Sequence, residues 1–269
     1  MHAPAQLAII AGNGIYPREL ARAARTAGVQ KIFAIAFEGE TDASITELVD
    51  EICWLRVGQL SRMLASLRDS KISSAIMAGQ IAPRNLFDLR PDWRALLLLA
   101  KLKRRNAESI FRAIADELEK IGVTLLPATT FLEDFLADKD LITGPKLSRR
   151  EKSDVDFGWS IAQKIAALDI GQTVVVKNGT ILAIEGFDGT NETIRRGGLL
   201  GGGGAVMIKV AKPNQDMRFD IPVIGVETIS IGAEAKIRVI ALEAGRTLLL
   251  EKGEVILAAQ RAKITVLGR

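Results

Sequence analysis

The chain has 269 residues with 48% hydrophobic side chains and a net charge of +4, enough core-forming material for one large domain or two small ones. Aromatics at 5% argue against a nucleic-acid surface built on base stacking, and the mild positive balance suits an anionic substrate or membrane surface. The lone Cys53 excludes a disulfide framework or a cysteine zinc site within the chain, and the lone His2 excludes histidine triads and histidine-rich phosphoesterase centres. A catalytic metal would therefore rest mainly on oxygen ligands, as Mg2+ or Mn2+ does, and acid–base work falls to Asp, Glu, Lys or Tyr. No signal-peptide pattern opens the sequence. Its longest apolar run, residues 95–100, is too short to span a bilayer. The expectation is a cytoplasmic protein.

Residues 7–11 form an apolar run that closes on Gly12, Asn13 and Gly14, and a helical periodicity follows over residues 16–27. This predicts strand, tight turn and helix. Residues 31–37 predict a second strand ending at Glu38, an acidic position that suits a dinucleotide site. Ile15, Tyr16 and Pro17, however, follow the G-x-G where a third glycine belongs. A glycine turn at a helix start can still take a phosphate or sugar hydroxyl, and a tight turn needs glycine with or without a ligand. Residues 42–49 predict a short helix, 51–57 a strand, 60–68 a helix, and 74–78 a strand ending in Gly79 and Gln80. This alternation predicts a Rossmann-like, mostly parallel sheet. Ligands of such sheets sit beyond the carboxyl ends of the strands. Gly12, Gly14, Gly79 and Gln80 fall on that edge as candidate substrate contacts. Arg84 is there as a phosphate partner or an ordinary surface residue.

Residues 93–105, WRALLLLAKLKRR, predict an apolar helix with a basic end. Such an end complements the helix dipole of a packed helix and equally suits a helix lying on an anionic membrane. Residues 108–122 predict an amphipathic helix, 124–127 an extended piece and 131–137 a short helix. The polar stretch 138–153, broken by Gly144 and Pro145, is the predicted linker between a first domain, 1–137, and a second, 154–269.

The second domain opens with a predicted helix over 154–168. A turn at residues 169–172 leads into a hairpin of strands 173–177 and 180–185 around Asn178 and Gly179. The sequence EGFDGTNET then crowds Glu185, Asp188, Gly189, Thr190 and Asn191 together. Such a loop makes a phosphate or metal corner, or simply caps the next helix through Thr190 or Asn191. Residues 197–204 hold six glycines in eight positions without a G-K-[ST] pattern and predict a flexible flap. Strands follow over 205–210, 237–241, 247–250 and 264–267 with short helices between them, predicting an α/β domain with a mixed sheet.

Between those strands lies KPNQDMRFDIPVIGVET, residues 212–228. If extended, it puts Asp216, Arg218 and Asp220 on one face and Met217 and Phe219 on the other. A carboxylate beside a guanidinium suits a phosphate-and-metal site, or a solvated face with an ion pair. Pyrophosphate hydrolysis needs a metal to neutralise phosphate oxygens, cations for the leaving phosphate and a carboxylate to orient water or the metal. The candidates are Asp220 with Asp188 or Glu185 as acids, Lys212 and Arg218 as cations, and Gln172, Thr190 and Gln215 as hydrogen-bonding groups.

Several long motifs stand in order over nearly the whole chain. They are LAIIAGNGIYPRELA from residue 7, AGQIAPRNL at 78–86, LDIGQTVVVKNGTILAIEGFDGTNE at 168–192, KPNQDMRFDIPVIG from 212, and LEAGRTLLLE at 242–251. With these the chain resembles the LpxI family, the UDP-2,3-diacylglucosamine pyrophosphatases of lipid A synthesis. The resemblance implies Mg2+-dependent cleavage of UDP-2,3-diacylglucosamine to UMP and 2,3-diacylglucosamine 1-phosphate. It also implies two domains with the substrate between them. It puts the family's essential acid on Asp220. It puts the family's EGTD loop on Asp188, Gly189, Thr190 and Asn191, where Asp replaces Glu and Asn replaces Asp. Asn191 can ligate through its carbonyl but carries no charge. The expected metal ligands are Asp220, Asp188 and Glu185, and the expected partner is the lipid nucleotide. Peripheral contact with the inner membrane surface and a homodimer are both left open. Two other classes compete: a clamp that binds a nucleotide sugar or lipid without hydrolysis, and an NAD-dependent enzyme resting on Gly12, Gly14 and Glu38.

Overall fold

In the computed structural model, residues 3–81, 91–102, 107–213 and 215–269 are described. His2, Arg84 and the basic residues Lys103, Arg104 and Arg105 lie outside them. The chain forms two compact units. The first comprises Met1–Leu132 and Asp216–Asp220, the second Glu133–Gln215 and Ile221–Arg269.

The first unit is built on β1 (Gln6–Ala11), β2 (Lys31–Phe37), β3 (Glu51–Leu55), β4 (Ser74–Ala78) and β5 (Thr124–Leu125). They lie in the order β3-β2-β1-β4-β5, and every pair is parallel. This is the Rossmann-like order. After their first residues, Gln6 and Lys31, β1 and β2 are apolar because both faces of a parallel sheet are covered, and their inner residues are buried. Among the described residues its helices are α1 (Tyr16–Thr26), α2 (Leu60–Ser70), α3 (Trp93–Lys101) and α4 (Ala107–Lys120). Leu60, Met63, Leu64 and Leu67 repeat at helical spacing, so α2 lays one stripe on the core with Ile35, Met77 and Leu118. The helix predicted over 42–49 is a tighter 3-10 turn, Ala43–Glu47, opened by Asp42, whose carboxylate accepts from Ser44 N. Cys53 is half-buried against this core.

The second unit carries a mixed sheet in the order β6-β13-β11-β9-β7-β8. Its strands are β6 (Asp140–Thr143), β7 (Thr173–Lys177), β8 (Thr180–Ile184), β9 (Ala205–Lys209), β11 (Ile237–Leu242) and β13 (Thr265–Gly268). β9, β11 and β13 are parallel; β6 and the β7–β8 hairpin run antiparallel to their neighbours. A small parallel pair joins β10 (Val223–Ile224) to β12 (Leu248–Leu249). Four helices, α5 (Arg149–Ala167), α6 (Gly189–Gly201), α7 (Val226–Glu234) and α8 (Lys252–Arg261), accompany the sheet. The hairpin turn places Asn178 at φ 52° and Gly179 at φ 71°. Their amides are held at 2.9 and 2.7 Å by the buried carboxylate of Asp154.

Three further sequence expectations differ from the structure. Residues 138–153 are not a free linker: they form β6, paired with β13, and the start of α5. Charge and a Gly–Pro break mark an exposed, turning segment, and an edge strand is both. Ser148 caps α5 through Glu151 N, and Glu151 caps back on Ser148 N at 2.6 Å. Residues 197–204 are not a flap: they form the last turn of α6 and its left-handed cap at Gly202. A Cβ on Gly197 would stand 2.5 Å from the Val175 Cβ, and one on Gly198 would stand 2.3 Å from the Ala235 carbonyl oxygen. Glycine is therefore what lets α6 lie on β7 and α7. Finally, residues 216–220 are not extended. Phe219 N and Asp220 N both donate to Asp216 O, at 3.2 and 3.0 Å, which makes a turn.

Candidate active site

In the first unit the strand order reverses between β1 and β4, and their carboxyl ends form the edge where ligands of such sheets bind. Two loops meet there. Gly12 N donates to Ala78 O at 2.7 Å, Asn13 N to Gln80 O at 2.6 Å, and Gln80 N back to Asn13 O at 3.3 Å. A Cβ on Gly12 would lie 2.5 Å from Gln80 O, and one on Gly79 would lie 2.5 Å from Asn13 O. The contact between loops thus explains both glycines without a ligand. Gly14 is required by its φ of 89° and faces open space. Gln80 is exposed beside it. Tyr16, the chain's only tyrosine, is buried and donates to Ala128 O. Burial pushes its pKa up, so it stays a neutral donor rather than serving as a base. Glu38 is exposed and paired with Arg56 at 3.2 Å.

In the second unit the ends of β8, β9 and β11 and the start of β7 share one edge, because Thr173 pairs with Lys209 and Lys209 with Leu242. Polar side chains gather here in a chain of contacts. Gln172 N donates to Glu185 Oε2 at 3.2 Å, Thr190 Oγ1 to Glu185 Oε1 at 2.8 Å, and Lys209 Nζ to Thr190 Oγ1 at 2.8 Å. Lys209 is only 8% exposed, so its ammonium is held where charge is weakly screened. Lys212 Nζ meets Asp169 Oδ1 at 2.5 Å, and Lys212 N donates to Gln215 Oε1 at 2.7 Å. Arg246 ties this corner to β11, donating to Lys212 O at 2.8 Å and to Glu243 Oε1 at 2.9 Å. Gln215 is buried, and among the described residues its Nε2 has no hydrogen-bond acceptor. A buried donor left without an acceptor costs ~1–3 kcal/mol.

The turn Asp216–Asp220 belongs to the first unit. Phe219 packs on Phe111 at 5.8 Å, and Met217 O accepts from Ala128 N at 2.7 Å. Arg218 grips Asp216 in a fork, Nε to Oδ1 at 2.9 Å and Nη2 to Oδ2 at 2.8 Å. That hydrogen-bonded guanidinium holds Asp216 below the usual carboxylate range, and Asp216 in turn raises Arg218. The stretch therefore contains the Asp–Arg ion pair. Asp220 ends the turn, half-buried.

The sequence candidates thus fall in three places: Gly12, Gly14, Gly79 and Gln80 on the first edge; Gln172, Glu185, Thr190, Lys212 and Gln215 on the second; Arg218 and Asp220 in the turn. Asp188 sits beside the second group but is engaged by Arg196 Nη2 at 2.7 Å and Gly186 N at 3.0 Å. Asn191 Nδ2 donates to Glu227 at 3.2 Å. Among the described residues, no group of three or more His, Cys, Asp or Glu side chains is placed to hold a metal ion. A Mg2+ ion that takes one or two protein carboxylates and completes its shell with phosphate and water fits such residues better than a protein-only cage does. Sequence reasoning missed Lys209, Glu243, Arg246 and Asp169. Lys209 left one signal, a lysine closing the apolar strand AVMIK.

The description LpxI N-terminal domain matches residues 6–135, and LpxI C-terminal domain matches residues 138–267. The chain is 30% identical over 275 residues to the UDP-2,3-diacylglucosamine pyrophosphatase LpxI of Caulobacter vibrioides, covering 98% of this chain and 97% of that one. With both domains matched in order and a relative aligned end to end, the chain belongs to the LpxI family.

Proposed function

We propose that this protein hydrolyses the pyrophosphate bond of UDP-2,3-diacylglucosamine to UMP and 2,3-diacylglucosamine 1-phosphate, a step of lipid A biosynthesis. The observation that carries this reading is the end-to-end likeness to a relative named for that activity. The chemistry of the second-unit edge is compatible with it. Water adds to one phosphorus while the bridging P–O bond breaks, and the bridging oxygen leaves with the other phosphate. Asp220, which lies on the first unit's turn and not on this edge, is the acid that the family resemblance assigns to catalysis. Lys212 and the buried amide of Gln215 hold phosphate oxygens, and Lys209 fixes Thr190 and Glu185 behind them. Mg2+ or Mn2+, when bound, would supply charge neutralisation on those oxygens, and Asp220, Asp188 and Glu185 are the carboxylates nominated to hold it.

The test is UMP release from UDP-2,3-diacylglucosamine by the purified protein, with Mg2+ and with EDTA. Release that depends on Mg2+ is expected. Asp220→Ala is expected to lower turnover by roughly 10²–10⁴-fold while circular dichroism and the melting temperature stay near those of the parent. A folded and fully active Asp220→Ala protein would sink the assignment of that residue. Tight substrate binding without UMP release would replace hydrolysis with the non-hydrolysing clamp.

A further inference from the structure

Among the described residues no helix is long and apolar enough to cross a membrane, yet α3 is apolar on two sides. Its inner side holds Ala95, buried, and Leu98, which packs on the core of the first unit. Its outer side carries Trp93, Leu96 and Leu97 at 67%, 55% and 52% exposure, followed by exposed Ala100. The spacing i, i+3, i+4, i+7 puts these four on one stripe. Scattered surface leucines need no explanation, but a contiguous apolar stripe marks an interaction surface. The helix is firmly anchored. Asp92 accepts from Ala95 N at 2.9 Å and from Ser61 N at 2.7 Å, capping α3 and binding the first turn of α2. Arg94 forks onto Glu117 at 3.0 and 2.8 Å. The outer stripe is therefore presented by a fixed helix.

Charge selects the occupant. From Trp93 to Arg105 the sequence holds five Lys or Arg and no Asp or Glu, and Lys101 is exposed at the end of α3. A tryptophan-bearing apolar stripe beside cations matches a bilayer rich in anionic headgroups, where the ring and leucines enter the headgroup–acyl boundary and lysine meets phosphate. A second copy of the same segment brings the same basic sequence, with no acid between Trp93 and Arg105 to offset it. We infer that α3 is a docking helix by which the protein lies on an anionic bilayer surface. This inference does not depend on the pyrophosphatase reading, because docking is measured without substrate.

The experiment is co-sedimentation of the protein with vesicles of phosphatidylglycerol mixed with phosphatidylcholine, and with vesicles of phosphatidylcholine alone. Binding to the anionic vesicles is expected to be at least about tenfold tighter and to weaken with salt. The double substitution Leu96→Glu, Leu97→Glu is expected to lower it by at least about tenfold while leaving UMP release from detergent-dispersed substrate unchanged. Trp54 and Trp159 are less exposed than Trp93, so the vesicle-induced blue shift of tryptophan emission is expected to vanish in Trp93→Phe. A parent protein that ignores anionic vesicles, or a Leu96→Glu, Leu97→Glu protein that binds them as well as the parent, overturns the proposal. A change of oligomeric mass in that variant, with no vesicle binding by the parent, overturns it in favour of self-association.

Discussion

Asp216 and Arg218 form one of the best-defined ion pairs of the molecule, forked and partly shielded, with side-chain exposures of 15% and 30%. Because Arg218 lowers the folded-state pKa of Asp216, the pair's contribution is complete above the unfolded value near pH 4 and fades as pH falls through the lower folded value. Asp216→Asn is accordingly expected to be less stable than the parent at neutral pH. The difference should close as pH falls below about 4 and through the lowered folded-state value, as followed by urea unfolding. An unchanged gap down to the lowest pH would show that the charge is not what the substitution removes. At this scale the sequence was informative about composition and weak about partners. The Asp–Arg alternation made the pair one of two open readings. Lys209 became visible only once β9 lay beside β7 and the start of α6 brought Thr190 within 2.8 Å.

Elements were legible where local chemistry is decisive. The strands over 31–37, 74–78 and 173–177 coincide with the sequence expectation because apolar, β-branched runs bounded by turn residues have few alternatives. The glycine run at 197–204 was misread because glycine content alone does not say whether a position is free or pressed against a neighbour. The structure gives the second answer, and Gly197→Ala tests it. The added methyl would meet Val175, a buried β-branched residue of β7, so α6 must lift from the sheet. The expected loss is ~1–3 kcal/mol in denaturant unfolding. A neutral substitution would mean that α6 does not pack as described. Residues 138–153 failed for a related reason: a polar, charged segment looks the same whether it is a tether or an edge strand paired on one side.

At the scale of the molecule, the alternation of strands and helices announced two α/β units, but no local pattern marks that Asp216–Asp220 joins the first unit from within the second. Phe219 reaches the core of the first unit beside Phe111, and Met217 O closes a hydrogen bond from Ala128 N. A fragment of residues 1–132 therefore lacks part of its own core. It is expected to unfold at lower denaturant than the same unit within the whole chain, with a loss of ~2–4 kcal/mol for the missing aromatic packing. Hydrogen exchange at Ala128 N, whose partner is gone, reads the same defect locally. Equal stability of fragment and whole would show that the turn is only a passenger.

The same crossing bears on synthesis. The first unit is written almost entirely in the first half of the chain, yet its last piece is translated roughly eighty residues after Leu132. At ~5–20 residues per second that is a wait of about 4–17 s. During it, Phe111 at the edge of an otherwise finished core has no Phe219 to cover it. The nascent first unit thus spends that interval with part of its core uncovered, and its packing is completed only when the chain has been made as far as Asp220.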